Sequence, residues 1–590
     1  MSDHLKKNLL CYGDNLIFLT DTDLFPNECV DLVYLDPPFN SQQSYSVLFK
    51  ETTGGPEAAQ IRAFADTWTW TQESNKALTA LVNDKASPAP LVELTKTFVQ
   101  FLKTSPMMAY LVQMAVRLVQ MHRVLEPTGS LYLHCDPTAS HYLKLLLDAI
   151  FGPTTFRNEI IWKRTHAHGG AKGLGSVHDT ILWYSKSGTY TWNPQFLPYT
   201  EGYRETFFRF HDADGRRYRA TILTGAGTRT GSSGKPWRGV NPTKSGRHWA
   251  IPGYVRQILP TPHTATVQEA LDQLDRAGRI LWPKKKGGMP HFKQYLDDLP
   301  GTELQDVWSD IPPISAAAAE RMGYPTQKPM ALMKRIIACS SNPGDLVLDP
   351  FCGCGTTIDA VETLNSENPG AKPRRWVGID ITHIAINLIR HRLNRFSPPP
   401  QYEVLGEPAS LAAAAMLARH DPFQFQFWAL GLVGARPTTG QKRKGADRGV
   451  DGVRYFVDET RHNQPVTKRM LVQVKSGHVR SGDIRDFVGT LTREAAEMGA
   501  FITLEEPSAP MRREAASAGT YTSPWDCQAY AKVQVLTIEE LLRDPHRPNP
   551  RCLQVPGGAA GVNVTLPKAP KHKRKRFQEN HLEFNGRHDG

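Results

Sequence analysis

Apolar positions in the first 190 residues fall into short unbroken runs separated by stretches of helical period. LLCYGD (residues 9–14) and VDLVYLDPPF (30–39) are apolar runs closed by polar turns, as expected of strands buried on both faces. Residues 109–125 repeat apolar side chains every three or four positions and predict a helix. Pro127, Thr128 and Gly129 predict a turn, followed by a strand over 130–136 and an amphipathic helix over 138–151. Two further strands are expected at 158–164 and 180–187. This alternation predicts an α/β fold, with helices on both faces of a largely parallel sheet.

From about 188 to 320 the rhythm breaks under Gly, Pro, Arg and Trp, with one helix expected at 267–278. It returns as a helix at 329–340, a strand at 345–350, a helix at 356–364, a strand at 375–380 and a helix at 381–396. SPPP (397–400) ends that helix and marks a boundary, and a second α/β pattern runs over 410–545. The expected organisation is a first α/β part at 5–187, an insertion at 188–320 and a return to the first fold at 321–397. A linker at 398–409, a second domain at 410–545 and a basic, disordered tail at 546–590 complete it.

A chain of 590 residues exceeds what one core supports, in line with several domains. No window approaches 18 unbroken apolar residues, which excludes a helical membrane span, and the first residues lack the apolar region of a secretory signal. Eight cysteines are too few for a disulfide framework, so a reducing cytoplasm is expected. The 70 Lys/Arg and 58 Asp/Glu leave +12, unevenly spread: 204–293 holds 17 against 6, a net of +11, and 549–590 holds 8 against 3, a net of +5. The remainder is −4. Rings such as Phe210, Trp237, Trp249 and Trp282 lie among the cations of the first segment. Cations neutralise phosphates and rings stack on bases; a solvated basic face over an ordinary core is the equal alternative. The tail is either a non-specific polyanion grip or a solubilising terminus.

Two turns carry chemistry. In LVLDPFCGCGTT (346–357) a strand ends at Asp349, and Phe351, Gly353 and Gly355 lead into a helix. Glycines let backbone approach a ligand, and Asp380, ending the next strand, can accept from ribose hydroxyls. Cys352 and Cys354 have no second pair nearby and read as small turn residues, not metal ligands. In the other turn, Asp36, Pro37, Pro38 and Phe39 follow a buried strand. Two prolines remove N–H donors and leave rigid carbonyl acceptors, while Asp36 accepts and Phe39 offers a stacking ring. An exocyclic base amine suits that set; a proline-rich loop is the alternative.

Together these residues resemble the amino-methylating DNA methyltransferases that use S-adenosylmethionine. DPPF precedes DPFCGCG here, as in the permuted, beta arrangement. Gly13-Asp14-Asn15 resembles the turn near the cofactor adenine, and Tyr324–Pro329 the cofactor-clamping segment, with Thr326 and Lys328. The resemblance spans roughly 5–397 and places the target-recognition region in the basic insertion. It implies a permuted methyltransferase fold with a mostly parallel seven-stranded sheet, double-stranded DNA as substrate, and a nucleoid-associated cytoplasmic enzyme of prokaryotic or phage origin; a homodimer is compatible. Asp36 and the Pro37 carbonyl would accept from the amino group of a flipped-out base and Phe39 would stack on it, with no cysteine nucleophile. Asp14, Thr326, Lys328, Asp349, Phe351, Gly353, Gly355 and Asp380 would form the cofactor site. A leading Asp in DPPF points to adenine N6; cytosine N4 and RNA are the alternatives.

In the second domain, GADRGVDG (445–452) opens a strand and MLVQVKSG (470–477) carries Gln473 and Lys475. The order of elements resembles the Mrr-like restriction endonuclease domain of the PD-(D/E)xK superfamily. By that resemblance Asp451 is the metal-binding acid for Mg2+, Gln473 and Lys475 are the Q-x-K pair, and Asp447 is a weaker acid candidate. Asp421 lies off the usual place of the first-helix acid. The chain then reads as a fused restriction–modification protein; a domain that grips DNA without cutting is the alternative.

Overall fold

The computed structural model describes residues 3–38, 69–85, 87–166, 173–257, 259–260, 266–285, 287–315, 317–324, 326–438, 449–461, 464–542 and 553–556. Phe39, Asp447 and nearly all of the basic tail therefore lie outside the described residues. The chain forms two compact units, Met1–Thr191 with Val307–Gly590, and Trp192–Asp306. No described helix is long and apolar enough to cross a membrane.

Among the described residues of the first unit nine strands make one sheet: β1 (Asn8–Tyr12), β2 (Val30–Leu35), β3 (Leu125–Cys135), β4 (Phe156–Lys163), β5 (His178–Ser185), β6 (Val307–Trp308), β7 (Leu346–Asp349), β8 (Arg375–Asp380) and β9 (Tyr402–Leu405). Their order is β6-β4-β5-β3-β2-β7-β8-β1-β9. Only β5 runs antiparallel to its neighbours β3 and β4. The expected seven strands are β1–β5, β7 and β8, and two short edge strands extend them. One of these, β9, lies inside the expected linker, where it pairs in parallel with Asn8–Cys11 and covers the open edge of β1. Its four residues are all half-buried and give no period to read. The expected Pro127–Gly129 turn is absorbed into β3 as a register shift against β2, between Val30 and Leu32.

Helices α1 (Asn15–Thr20), α2 (Gln72–Asn83), α3 (Ala89–Leu102), α4 (Pro106–Val124), α5 (Ser140–Phe151), α6 (Met330–Ser340), α7 (Thr356–Glu367) and α8 (His383–Leu393) accompany this sheet. Leu9, Val33, Leu131, Leu348 and Val377 line one continuous core with α4 and α5. Burying such side chains contributes roughly 1.5–3 kcal/mol each. No element was expected at α2, and it buries only Ser74 and Leu81, too thin a stripe to stand out.

The C-terminal part adds α9 (Leu411–His420), α10 (Pro422–Leu432) and a five-stranded sheet of β10 (Arg436–Pro437), β11 (Gly452–Arg461), β12 (Gln464–Lys475), β13 (Met498–Thr503) and β14 (Val533–Thr537), in that order. β11 and β12 form an antiparallel hairpin; β12, β13 and β14 are parallel.

The second unit centres on an antiparallel sheet of Phe210–His211, Arg217–Ile222, His291–Tyr295 and Ile280–Leu281, with a helix at Val267–Arg276. Its core takes in Trp237, Trp249 and Phe292, while Phe207, Phe210, Tyr254 and Trp282 stay exposed. The aromatic residues of the insertion thus divide between core and surface. The charge is also smaller than the window suggested. Trp192–Asp306 holds 17 Lys/Arg against 11 Asp/Glu, a net of +6. Three of the five added acids pair with the window's own arginines: Arg216 with Asp297 (2.8 Å) and Asp298 (2.9 Å), Arg217 with Glu201 (3.4 Å).

Candidate active site

The carboxyl ends of β2, β7, β8 and β1 lie side by side, since these four strands are consecutive and parallel in the sheet. Ligands bind at such ends in open α/β sheets. β7 ends at Asp349, whose buried carboxylate staples the following turn: Oδ1 accepts from the Phe351 N–H (3.1 Å) and Oδ2 from Thr357 Oγ1 (2.5 Å). Burial pushes its pKa up to about 7. Gly353 and Gly355 have φ of 49° and 75°, a region that disfavours any Cβ. A Cβ at Gly353 would sit 3.2 Å from the Tyr324 ring. Asp380, at the end of β8, accepts from the Gly353 N–H (3.0 Å) and from both N–H and Oγ1 of Thr382 (2.9 Å each). Burial raises it to about 6.

β1 reaches the same edge. The Gly13 N–H donates to the Asp380 carbonyl (2.9 Å). Asp14 caps α1 through the Leu16 N–H (2.9 Å) and is ion-paired to Arg117 (2.8 Å). Buried Asn15 donates to the Pro350 carbonyl (2.7 Å) and accepts from Arg117 Nε (2.8 Å), so it ties the Gly13 turn to the Asp349 turn. Sequence reasoning placed Asn15 in the turn but missed its partner Arg117. The available signal was a charge in the middle of the apolar run of α4.

Asp36 follows β2 and is ion-paired to Lys328, which is only 8% exposed and also donates to the Thr326 carbonyl (3.4 Å). Thr326 has φ of 63°, the turn that carries Lys328 to Asp36. Lys328, expected at the cofactor, is thus placed on the DPPF acid. Behind Asp36 runs a second buried chain absent from the sequence reading. Tyr34 Oη meets His134 Nδ1 (3.0 Å), His134 Nε2 meets Asp179 Oδ2 (3.0 Å), and Arg164 pairs with Asp179 Oδ1 (3.3 Å). Burial would raise the Asp179 carboxyl, but His134, Lys328 and Arg164 outweigh it and hold it below its ordinary value.

In the C-terminal sheet Asp451, Gln473 and Lys475 are neighbours on the β11–β12 hairpin. Asp451 Oδ2 accepts from the Val474 N–H (2.7 Å) and the Asp451 N–H donates to the Val472 carbonyl (2.9 Å). Gln473 is buried and Lys475 half-buried. Among the described residues no group of three or more His, Cys, Asp or Glu is arranged to hold a metal ion.

The profile of the N6/N4 DNA methylase family matches residues 30–391. The chain belongs to the N6/N4 DNA methylases. A second profile, described as NACHT-associated inactive restriction endonuclease 1, matches residues 438–543, so the C-terminal part of this methylase is restriction-endonuclease-like, and the matched profile is of an inactive form. Relatives include the type II methyltransferase M.EcaI of Enterobacter cloacae, 34% identical over 48% of this chain and 57% of its own length. The type III restriction-modification enzyme StyLTI Mod subunit of Salmonella typhimurium is 25% identical over 62% of this chain and 51% of its own. The DNA adenine methyltransferase YhdJ of Escherichia coli is 45% identical over 15% of this chain and 27% of its own. The methylase thus spans about half the length of the first two relatives.

Proposed function

We propose that this methylase transfers a methyl group from S-adenosylmethionine to the N6 amino group of adenine in double-stranded DNA. The observation that carries the reading is Asp36: it sits at a strand end beside the Asp349–Gly355 turn and is held by a buried lysine. The glycine cradle, the buried Asp349 and the half-buried Asp380 suit a cofactor that brings ribose hydroxyls and a cationic centre. Bound there, S-adenosylmethionine would supply an electrophilic methyl on sulfur. The protein's own residues do the rest. Lys328 holds the Asp36 carboxylate in place, and a carboxylate can only accept. Asp36 and the Pro37 carbonyl accept the two amino hydrogens and turn the nitrogen lone pair out of the ring. Phe39 stacks on the flipped base. The rate then comes from positioning and preorganised charge. Support for adenine comes from the leading Asp and from the relative named as an adenine methyltransferase. The exposed rings of the second unit and its +6 suit DNA. Modification-sensitive sequencing of DNA from cells expressing the protein should return N6-methyladenine in one motif. N4-methylcytosine would overturn the base assignment, and unmodified DNA the whole reading.

Asp380 adds a pH dependence. Burial raises its pKa to about 6, so the accepting carboxylate forms only as pH rises through that value. Cofactor affinity should climb from pH 5 to 7, by up to about tenfold per unit below the pKa, and then level off. Titration calorimetry should find this slope lost in Asp380→Asn.

For the C-terminal domain we propose DNA gripping without cleavage. The Mrr-like resemblance makes Asp451, Gln473 and Lys475 the remnant of a nuclease site. One carboxylate with an oxygen already on the Val474 N–H is a thin donor set for Mg2+, which needs near-octahedral oxygen ligation, so no step runs through a metal. The inactive profile supports the same reading. Plasmid incubated with Mg2+, with or without S-adenosylmethionine, should stay intact. Fragments that vanish in Lys475→Ala would reverse this assignment.

A further inference from the structure

The C-terminal domain is built into the cofactor end of the first sheet. α8 begins three residues after Asp380, and Thr382 caps it, accepting from the Ala385 N–H (3.1 Å) while donating to Asp380 Oδ1 (2.9 Å). The next residue, His383, carries a first-turn N–H with no partner inside its own helix. That N–H donates to Gln424 Oε1 (3.1 Å), from α10 of the C-terminal domain. Gln424 is 4% exposed. One turn along, Asn387 Nδ2 donates to the Phe427 carbonyl (2.7 Å), and a Cβ at Gly431 would lie 2.1 Å from Asn387 Oδ1, so the two helices are in backbone-level contact. On its other side the buried His383 ring stacks on Tyr12 at 3.6 Å, just ahead of the Gly13–Asp14 turn. Glu407, after β9, pairs with Arg390 (2.5 Å), lies 3.4 Å from His383 Nδ1 and closes the block. Asp380 and the Gly13 turn are therefore anchored to a layer that the C-terminal domain completes.

We propose that Gln424 is a positioning residue for cofactor binding: through the His383 N–H it fixes the first turn of α8, so that Thr382 presents the Asp380 carboxylate in the orientation that a ribose needs. This rests on the reading of Asp380 given above. The fused domain is then part of the methylase site, whether or not it touches DNA. A buried N–H that loses its acceptor shifts the balance against the ordered turn, and cofactor must re-form that turn on binding. The coupling is reciprocal, so cofactor must also tighten α10.

Calorimetric titration of the full chain with S-adenosylmethionine tests this. Gln424→Leu should weaken binding roughly threefold to tenfold, with affinity for DNA in the absence of cofactor unchanged. Gln424→Glu keeps an acceptor and should bind within about twofold of the wild type. Wild-type affinity in Gln424→Leu, alongside lost affinity in Asp380→Ala, would overturn the positioning role and leave the cofactor site standing. Wild-type affinity in Asp380→Ala would overturn the site itself. Should Gln424→Leu fail to fold, hydrogen exchange on the wild type decides: saturating cofactor should slow amide exchange over 422–432, and unchanged exchange there overturns the proposal.

Discussion

Asp36→Ala is expected to slow methyl transfer by roughly a hundredfold to a thousandfold, with binding of cofactor and of DNA retained. The hydrogen bond from the amino group strengthens as the nitrogen attacks and gains positive charge, so its loss falls mainly on the chemical step. Single-turnover transfer of labelled methyl to DNA measures this. A wild-type rate would remove Asp36 from the mechanism. The same substitution strips Lys328 of its carboxylate, and that lysine is only 8% exposed. The buried ammonium loses its carboxylate partner and keeps the Thr326 carbonyl, so the variant should also melt earlier. Adding Lys328→Met should restore the melting temperature and leave activity lost. That separates the chemical role of Asp36 from its structural one.

The parts of the site legible in the sequence are those built by one stretch of chain. DPPF and DPFCGCG each follow an apolar run, and a buried parallel strand ending in a polar turn writes both features into about ten consecutive residues. Asp349 and Asp380 were found that way, and their hydrogen bonds to Phe351, Thr357 and Thr382 are correspondingly local. The missed contacts run across the fold. Arg117 reaches Asn15 over 102 positions, and Tyr34 reaches His134 over 100. No window of periodicity contains both members of such a pair. Lys328 was seen and assigned to the cofactor, because the contact with Asp36 spans 292 positions. The +11 of 204–293 does not extend to the whole unit for a related reason: that window ends at 293, a few residues before Asp297 and Asp298, which pair with Arg216. β9 escaped since only the edge of β1, some 390 positions away, makes it a strand.

Gly355→Ala should cost about 2–5 kcal/mol of stability, the larger part steric. Gly355 caps α7 with φ of 75° and ψ of 35°, in the left-handed region. An alanine there costs about 1–2 kcal/mol from the backbone alone. Its Cβ would also lie 2.5 Å from Ile389 Cγ1, on buried α8, closer than carbon atoms can pack. Either α7 or α8 must move, and forcing a methyl into a packed core costs about 1–3 kcal/mol. The two terms separate in a double-mutant cycle. In an Ile389→Ala background the clash is gone, so Gly355→Ala should cost only the backbone part, about 1–2 kcal/mol. Denaturant unfolding of the four proteins measures the coupling, and additive costs would show that Ile389 is not the obstacle. The displaced helices carry the site's own geometry. α7 starts at the turn whose Gly353 N–H binds Asp380, and α8 starts at Thr382, which binds the other oxygen of Asp380. Cofactor affinity should therefore fall in Gly355→Ala relative to wild type, and fall less when the same substitution is made in the Ile389→Ala background, since the same close approach of α7 to α8 builds the core and aims the acid.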